Sequence, residues 1–301
     1  MKRIVLLAIC IVAAMQAQAQ YMPGPSTATP SYQGLWWNSP AGSQSGWGIN
    51  IAHQGRILFA TWFTYDEDGS GMWLVVPDAE QVGTAGASPY GGTMTESMPT
   101  YTGAIYRTTG PAFDAQPFDP AKVGAQVLGI ASFQFLDASD GTFTSTIGGA
   151  VQMHAITRQV FGPMPDCSLG GSPGSTPNFS DLWWRSPAGS ESGWGVNLTQ
   201  QGDTLFATWF TYDDSGKGLW LVMSNGVRTG PQSWSGTLYR TRGPAFDGTW
   251  DGSKVAASAE GTASFAFTDA NDGTFTATVD GHTVSEPITR QVYSTPSTIC
   301  R

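Results

Sequence analysis

The sequence predicts an all-β protein made of two tandem small antiparallel domains, each an eight-stranded up-and-down β-barrel, with a two-sheet β-sandwich as the alternative architecture. Three observations carry this expectation. The chain repeats itself: Leu35 to Val76 aligns without gaps on Leu182 to Met223, with 29 of 42 positions identical. Helical periodicity is scarce, whereas short alternating runs bounded by Gly, Asp and Pro recur roughly every ten to fifteen residues. The 301 residues are 40% hydrophobic and 12% aromatic but only 12% charged, so polar duty falls to Gly, Ser, Thr, Asn and Gln, as in secreted β proteins.

Taken from the amino terminus, residues 1–19 read as a secretory signal peptide. Lys2 and Arg3 precede an apolar run from Ile4 to Met15, and Ala17-Gln18-Ala19 offers a small-residue cleavage site. That run is too short for a membrane span, which needs roughly 20 apolar residues. Residues 20–30 form an N-terminal extension. The first copy follows at 31–163 and the second at 178–295, separated by a Pro/Gly/Ser linker at 164–177 and ending in a tail at 296–301. The alignment offset drops from 147 to 133 after Pro77, so the first copy carries an insert within 78–100 that reads as a surface loop. Periods this long exceed those of solenoids, so each copy is expected to fold as its own domain.

Within the second copy, strands are expected at Asp181 to Arg185, Gly193 to Gln200, Thr204 to Asp213, Gly218 to Ser224, Ser233 to Arg240, Glu260 to Thr268, Gly273 to Val279 and Ser285 to Tyr293. Their connections carry turn chemistry, such as Gln201-Gly202 and Asp269-Ala-Asn-Asp-Gly273, which implies successive hairpins. The strand from Leu205 to Asp213 is apolar on both faces. Leu205, Ala207, Trp209 and Thr211 lie on one, and Phe206, Thr208, Phe210 and Tyr212 on the other. One barrel interior cannot absorb both, so the outer face must meet the other domain, another chain or a ligand.

Two cysteines remain after the signal peptide, Cys167 and Cys300, each just beyond the end of one repeat. In an oxidising compartment they are expected to pair. A formal charge of −9 argues against nucleic acid as a partner. No later stretch is long and apolar enough for a membrane helix.

Ten of the twelve tryptophans fall in matched pairs: Trp36/Trp183, Trp37/Trp184, Trp47/Trp194, Trp62/Trp209 and Trp73/Trp220. A flat apolar ring with one N–H donor suits stacking on sugars, aromatic ligands or amines, although barrel core is the competing explanation for any single ring. Asn50/Asn197, Tyr65/Tyr212 and Arg107/Arg240 recur as polar groups within apolar strands, the usual composition of a small-ligand pocket. For the arginines, pairing with nearby Asp114 or Asp247 is the structural alternative. Arg158/Arg290 read as caps on the barrel end.

Catalysis has less support. His53, His154 and His282 have no histidine in the matching position, so a duplicated general base is absent. The repeated acids Asp66/Asp213, Asp114/Asp247, Asp137/Asp269 and Asp140/Asp272 all sit at expected turns, where Asp serves local hydrogen bonding. No zinc spacing, calcium loop or phosphate loop is present, so no metal or cofactor is expected.

The strings SGWG and LFATWFTYD, followed by a Gly turn and WLV, resemble an uncharacterised module of secreted and surface proteins of proteobacteria, and the resemblance spans both copies. It implies export but no reaction. The strand pattern is also reminiscent of avidin-like or lipocalin-like barrels at the level of architecture. The leading expectation is therefore a periplasmic or extracellular protein without catalysis that holds a neutral glycan or small apolar ligand. Its candidate contacts are Trp36, Trp37, Asn50, Trp62, Tyr65, Trp73 and Arg107, with Trp183, Trp184, Asn197, Trp209, Tyr212, Trp220 and Arg240 in the second copy. The second expectation is a structural or adhesion protein whose outer aromatic faces mate with other proteins, by inter-domain or homo-oligomer packing. A hydrolase using turn carboxylates ranks third.

Overall fold

The computed structural model describes residues 29–84 and 98–301. The expected signal peptide at residues 1–19, residues 20–28 and residues 85–97 of the insert lie outside the described residues. The first copy forms a closed antiparallel barrel of β1 (Gly34–Asn38), β2 (Gly48–Gln54), β3 (Ile57–Tyr65), β4 (Gly71–Thr84), β5 (Pro99–Thr109), β6 (Gly124–Phe135), β7 (Asp140–Ile147) and β8 (Ala150–Arg158), with β8 pairing back onto β1. The second repeats it with β10 (Asp181–Arg185), β11 (Gly195–Gln201), β12 (Thr204–Tyr212), β13 (Gly218–Gly230), β14 (Ser233–Arg242), β15 (Ala256–Phe267), β16 (Asp272–Val279) and β17 (His282–Arg290). Closure removes free strand edges, and the sandwich alternative is thereby excluded.

The pleat sorts each strand. In β3, Leu58, Ala60 and Trp62 enter the first barrel's core, with Trp36, Ile49, Ile51, Leu74, Phe133 and Phe143. In β12, Leu205, Ala207 and Trp209 enter the second, with Trp183, Val196, Leu221, Phe265 and Phe275. The opposite faces, Thr61, Phe63 and Tyr65 on β3 and Thr208, Phe210 and Tyr212 on β12, are also buried. They meet each other across a seam between the barrels. The equivalent rings of Phe63 and Phe210 lie 6.5 Å apart, Phe63 packs on Trp220 at 5.5 Å, and Trp73 on Phe210 at 5.0 Å. The seam thus has an approximate two-fold relation, like the interface of a symmetric dimer.

The barrels also exchange segments. The β5–β6 connection of the first copy brings Phe113 onto Trp209 at 5.4 Å and buries Phe118 in the second barrel's core. The β14–β15 connection of the second copy brings Phe246 onto Trp62 at 5.6 Å and sets Trp250 against the first core. Backbone bonds pin both plugs, from Phe113 N to Tyr212 O at 3.0 Å and from Phe246 N to Tyr65 O at 3.1 Å. Each plug ends on a valine pressed against a glycine of the other barrel. A Cβ on Gly46 would lie 2.7 Å from Val255, and one on Gly193 would lie 2.5 Å from Val123, so both positions must lack side chains. Each barrel closes its own sheet, and the other copy fills its mouth.

At the opposite end, the expected linker and tail are ordered rather than loose. Short strands β9 (Cys167–Leu169) and β18 (Thr298–Cys300) pair antiparallel, and Cys167 is bonded to Cys300. The reason is backbone satisfaction: Gln201 in the second barrel grips the first copy's exit chain, its Oε1 accepting from Phe161 N and Gly162 N while its Nε2 donates to Gln159 O. Gln54 does the same to the second copy's exit chain at Tyr293, Ser294 and Gln291. The insert also differs from expectation at its ends. β4 runs on to Thr84 and β5 begins at Pro99, because the first barrel prolongs this hairpin instead of opening a loop. Likewise β13 continues past Ser224 to Gly230, and β15 begins at Ala256, ahead of Glu260.

Candidate functional site

The predicted site residues divide among the barrel interiors, the seam and an open groove. Trp36 and Trp183 lie fully buried at the barrel ends nearer the disulfide, donating from Nε1 to the carbonyls of Tyr32 at 3.0 Å and Phe179 at 3.1 Å. Arg158 and Arg290 lie over these rings at 4.8 Å each, the capping role expected from sequence. Trp62 and Trp209 line the opposite mouths beneath the exchanged plugs, where Phe246 and Phe113 hold the places a stacked ligand would take. Their Nε1 atoms find no acceptor within the chain.

The second place is the seam. Trp73 Nε1 donates to Thr211 O at 2.8 Å and Trp220 Nε1 to Thr64 O at 3.0 Å, each across to the other barrel. Asn197 Nδ2 donates to Thr61 Oγ1 at 3.1 Å, and Thr199 Oγ1 donates to Asn50 Oδ1 at 3.4 Å. The Tyr65 hydroxyl donates to the Gly46 carbonyl, and that of Tyr212 to the Gly193 carbonyl. Burial pushes both phenols up, Tyr212 to about 12, so both stay protonated donors at neutral pH. The tryptophans and asparagines bond across the halves, whereas each tyrosine bonds within its own barrel and crosses the seam by packing, Tyr65 on Trp220 at 5.9 Å and Tyr212 on Trp73 at 5.6 Å.

Arg107 and Arg240 flank a small cavity of about 70 Å³ on the two-fold relation, beside Asp66 and Asp213. Arg107 bonds Asp66 rather than Asp114, and Arg240 lies 3.7 Å from Glu260 and 3.6 Å from Asp280 rather than near Asp247. The sequence neighbours point away because the plug that carries Asp114 and Asp247 belongs to the other barrel's mouth. Among the repeated acids, Asp137, Asp213 and Asp269 each accept backbone N–H bonds from their own turns as expected, whereas Asp140 and Asp272 begin β7 and β16 and Asp114 lies 3.3 Å from His282. Among the described residues, no three His, Cys, Asp or Glu side chains gather as a metal set.

The third place is the most open. Trp37 lines a groove of about 180 Å³ beside the seam, with Trp47, Phe63, Phe206, Trp220 and Val222. Ser45, Thr208, Ser224 and Thr241 add hydroxyls to the same wall. Trp37 is half-buried, and its Nε1 finds no acceptor within the chain; Trp184, at the matching position, is half-buried with the same unmatched donor. The adjacency of Trp36 and Trp37 made this legible, since neighbours on a strand face opposite ways.

Two clefts flank the disulfide. One, of about 400 Å³, is lined by Gln33, Gly34, Arg158, Gln159, Asp166 and Gln201 among others; the other, of about 270 Å³, by Gln54, Asp181, Arg290 and Gln291 among others. Sequence reasoning named neither cleft. Gln54/Gln201 was a visible signal, a repeated Gln at the end of an apolar strand. Gly34/Asp181 became visible only as a mismatch within the repeat.

Compared with known protein families, with curated proteins and with solved structures, the chain matches none. No described helix is long and apolar enough to cross a membrane.

Proposed function

We propose that this is an exported, non-catalytic binding protein that holds a neutral glycan or small apolar ligand on the aromatic groove beside the seam. The observation that carries the proposal is Trp37, a half-buried indole that lines this groove and whose N–H donor the chain leaves unmatched; Trp184 repeats the unmatched donor at the matching position of the second copy. An unpaired buried donor costs about 1–3 kcal/mol, and a ligand hydroxyl or carbonyl that accepts from it recovers that cost. The ring faces supply stacking area, as sugar and apolar ligands need, and the hydroxyls of the wall supply orientation. The inner tryptophans, Trp62 and Trp209, support this site by holding the plugs and do not offer stacking surfaces themselves. The Cys167–Cys300 bond fits an oxidising compartment, periplasmic or extracellular.

The test is intrinsic tryptophan fluorescence of the mature protein titrated with maltohexaose, cellohexaose and neutral N-phenyl-1-naphthylamine. A saturable change that is lost in Trp37→Ala with Trp184→Ala, while the melting curve is kept, is the expected outcome. An unchanged response in that double variant, or no response to any probe, overturns the proposal.

A further inference from the structure

The two barrels differ at a point that the repeat makes visible. In the second barrel, the Arg290 guanidinium donates to the carbonyls of Ala270, Ser180 and Asn178, and its Nη1 also donates to Asp181 Oδ2 at 2.9 Å. In the first barrel, Arg158 makes the same three carbonyl bonds, to Ala138, Gln33 and Ser31. The residue matching Asp181 is Gly34, so the fourth bond has no protein acceptor. Among the described residues, Arg158 has no carboxylate within ion-pair distance.

Arg158 and Gly34 line the larger cleft, of about 400 Å³. Gln33 lines it too and is only 3% exposed. Its Nε2 is held by Ser180 O at 2.8 Å, but its Oε1 has no donor. The acid on this wall, Asp166, has its carboxylate 3.5 Å from Arg301 Nε. The cleft therefore combines a guanidinium N–H without a counter-charge and a buried amide oxygen without a donor.

We propose that this cleft binds a small organic carboxylate bearing a hydroxyl or amino group next to the carboxyl group. The carboxylate takes the Arg158 Nη1–H bond that Asp181 takes from Arg290 in the other barrel. The neighbouring O–H or N–H donates to Gln33 Oε1. Hydrogen bonds between ionised partners are roughly twice as strong as neutral ones, which favours the acid over its amide. The matching cleft at Arg290 already holds its own carboxylate in Asp181, so each chain has one such site, not two. The site is distinct in chemistry from the aromatic groove, although the two adjoin at Leu35 and Gln159.

Isothermal titration of the mature protein with L-lactate, L-lactamide and acetate tests this. L-Lactate is expected to bind at one site per chain, with L-lactamide and acetate each at least about tenfold weaker. Gly34→Asp puts a Cβ 2.7 Å from Arg158 Nη1, which fills the space the ligand carboxylate would take, and is expected to abolish lactate binding. Because Gly34 holds a φ of +137°, where Asp is strained, Gln33→Glu serves as the second variant, with at least about a tenfold loss expected and the melting curve retained. Trp37→Ala with Trp184→Ala is expected to leave lactate binding unchanged, which separates this site from the groove. No lactate binding, two sites per chain, equal affinity for L-lactamide, or full affinity in a folded Gln33→Glu protein overturns the proposal.

Discussion

The two barrels share strand order, seam and plug exchange, yet they solve the same local problem with different chemistry at the disulfide end. In the first, His53 Nδ1 accepts from the backbone N–H of Tyr32 at 3.2 Å, and its Nε2 faces the Tyr101 hydroxyl at 3.2 Å. In the second, Gln200 Oε1 accepts from the matching N–H of Phe179 at 3.0 Å, and Trp234 occupies the place of Tyr101. A side-chain acceptor is required at both positions because each N–H is buried. One barrel meets the requirement with a group that titrates and the other with one that does not. The tryptophan donors of the seam and the plug rings are thus duplicated, while at the barrel ends the Trp36/Trp183 and Arg158/Arg290 pairs are kept and the residues at His53/Gln200 and Gly34/Asp181 have diverged.

The largest effect is expected at the Cys167–Cys300 bond, which ties the ends of the two barrels. Replacing Cys167 and Cys300 by Ser releases a closure spanning 133 residues, a loss of about 5 kcal/mol in the chain-entropy account. Because the plugs and seam remain, urea unfolding is expected to keep a single transition at a lower midpoint. Two separate transitions would show that the barrels are independent and that the plug exchange contributes little.

Next come the plugs. Phe113→Ala and Phe246→Ala each remove a ring from the other barrel's mouth and are expected to cost about 2–3 kcal/mol, equal to within about 0.5 kcal/mol. Calorimetry of both variants decides this, and unequal losses would show that the two plugs are not equivalent.

The divergent end sharpens the comparison through pH. Burial is the main cause holding His53 down at about 4, below its ordinary 6.5, with Arg158 adding to it. The unfolded chain therefore takes up this proton between pH 6.5 and 4, while the folded chain does not. His53 leaves stability intact above pH 6.5 and erodes it by about 3 kcal/mol as pH falls toward 4. His53→Gln, the residue of the other barrel, is expected to flatten the stability curve across that window. His154, also held down by burial, leaves a residual slope of the same sign. An unchanged curve in His53→Gln would remove the histidine from this role.

The smallest effect lies in the seam. Trp73→Phe and Trp220→Phe keep most of the packing but leave the carbonyls of Thr211 and Thr64 without their donors, for about 1–2 kcal/mol each. Equal losses are expected, measured by chemical unfolding.

Much of this was legible in the residues. Hairpin turns, strand alternation and the internal repeat sufficed for two eight-stranded barrels, because side-chain direction along a strand has a strict period of two. The two-faced strand at Leu205 to Asp213 announced a contact surface. Its occupant was not legible, since a pattern of apolar residues is silent on whether a second domain, a second chain or a ligand covers it. Trp62 and Trp209 suit stacking by sequence alone, but the plugs that cover them come from positions distant in sequence. The repeated Phe113 and Phe246 were visible in the GPAFD strings, but nothing local says that a loop fills another barrel instead of its own.

The sequence by itself determined the fold class, the duplication, the turn chemistry and the cysteine pair, all of which depend on local periodicity and on counting. Only the tertiary structure decided that the outer aromatic faces meet each other, that the plugs are exchanged, and that Arg158 lacks the carboxylate Arg290 has. Those facts depend on which surfaces come together, and the free energy of burying an apolar face is nearly indifferent to the identity of the surface that buries it.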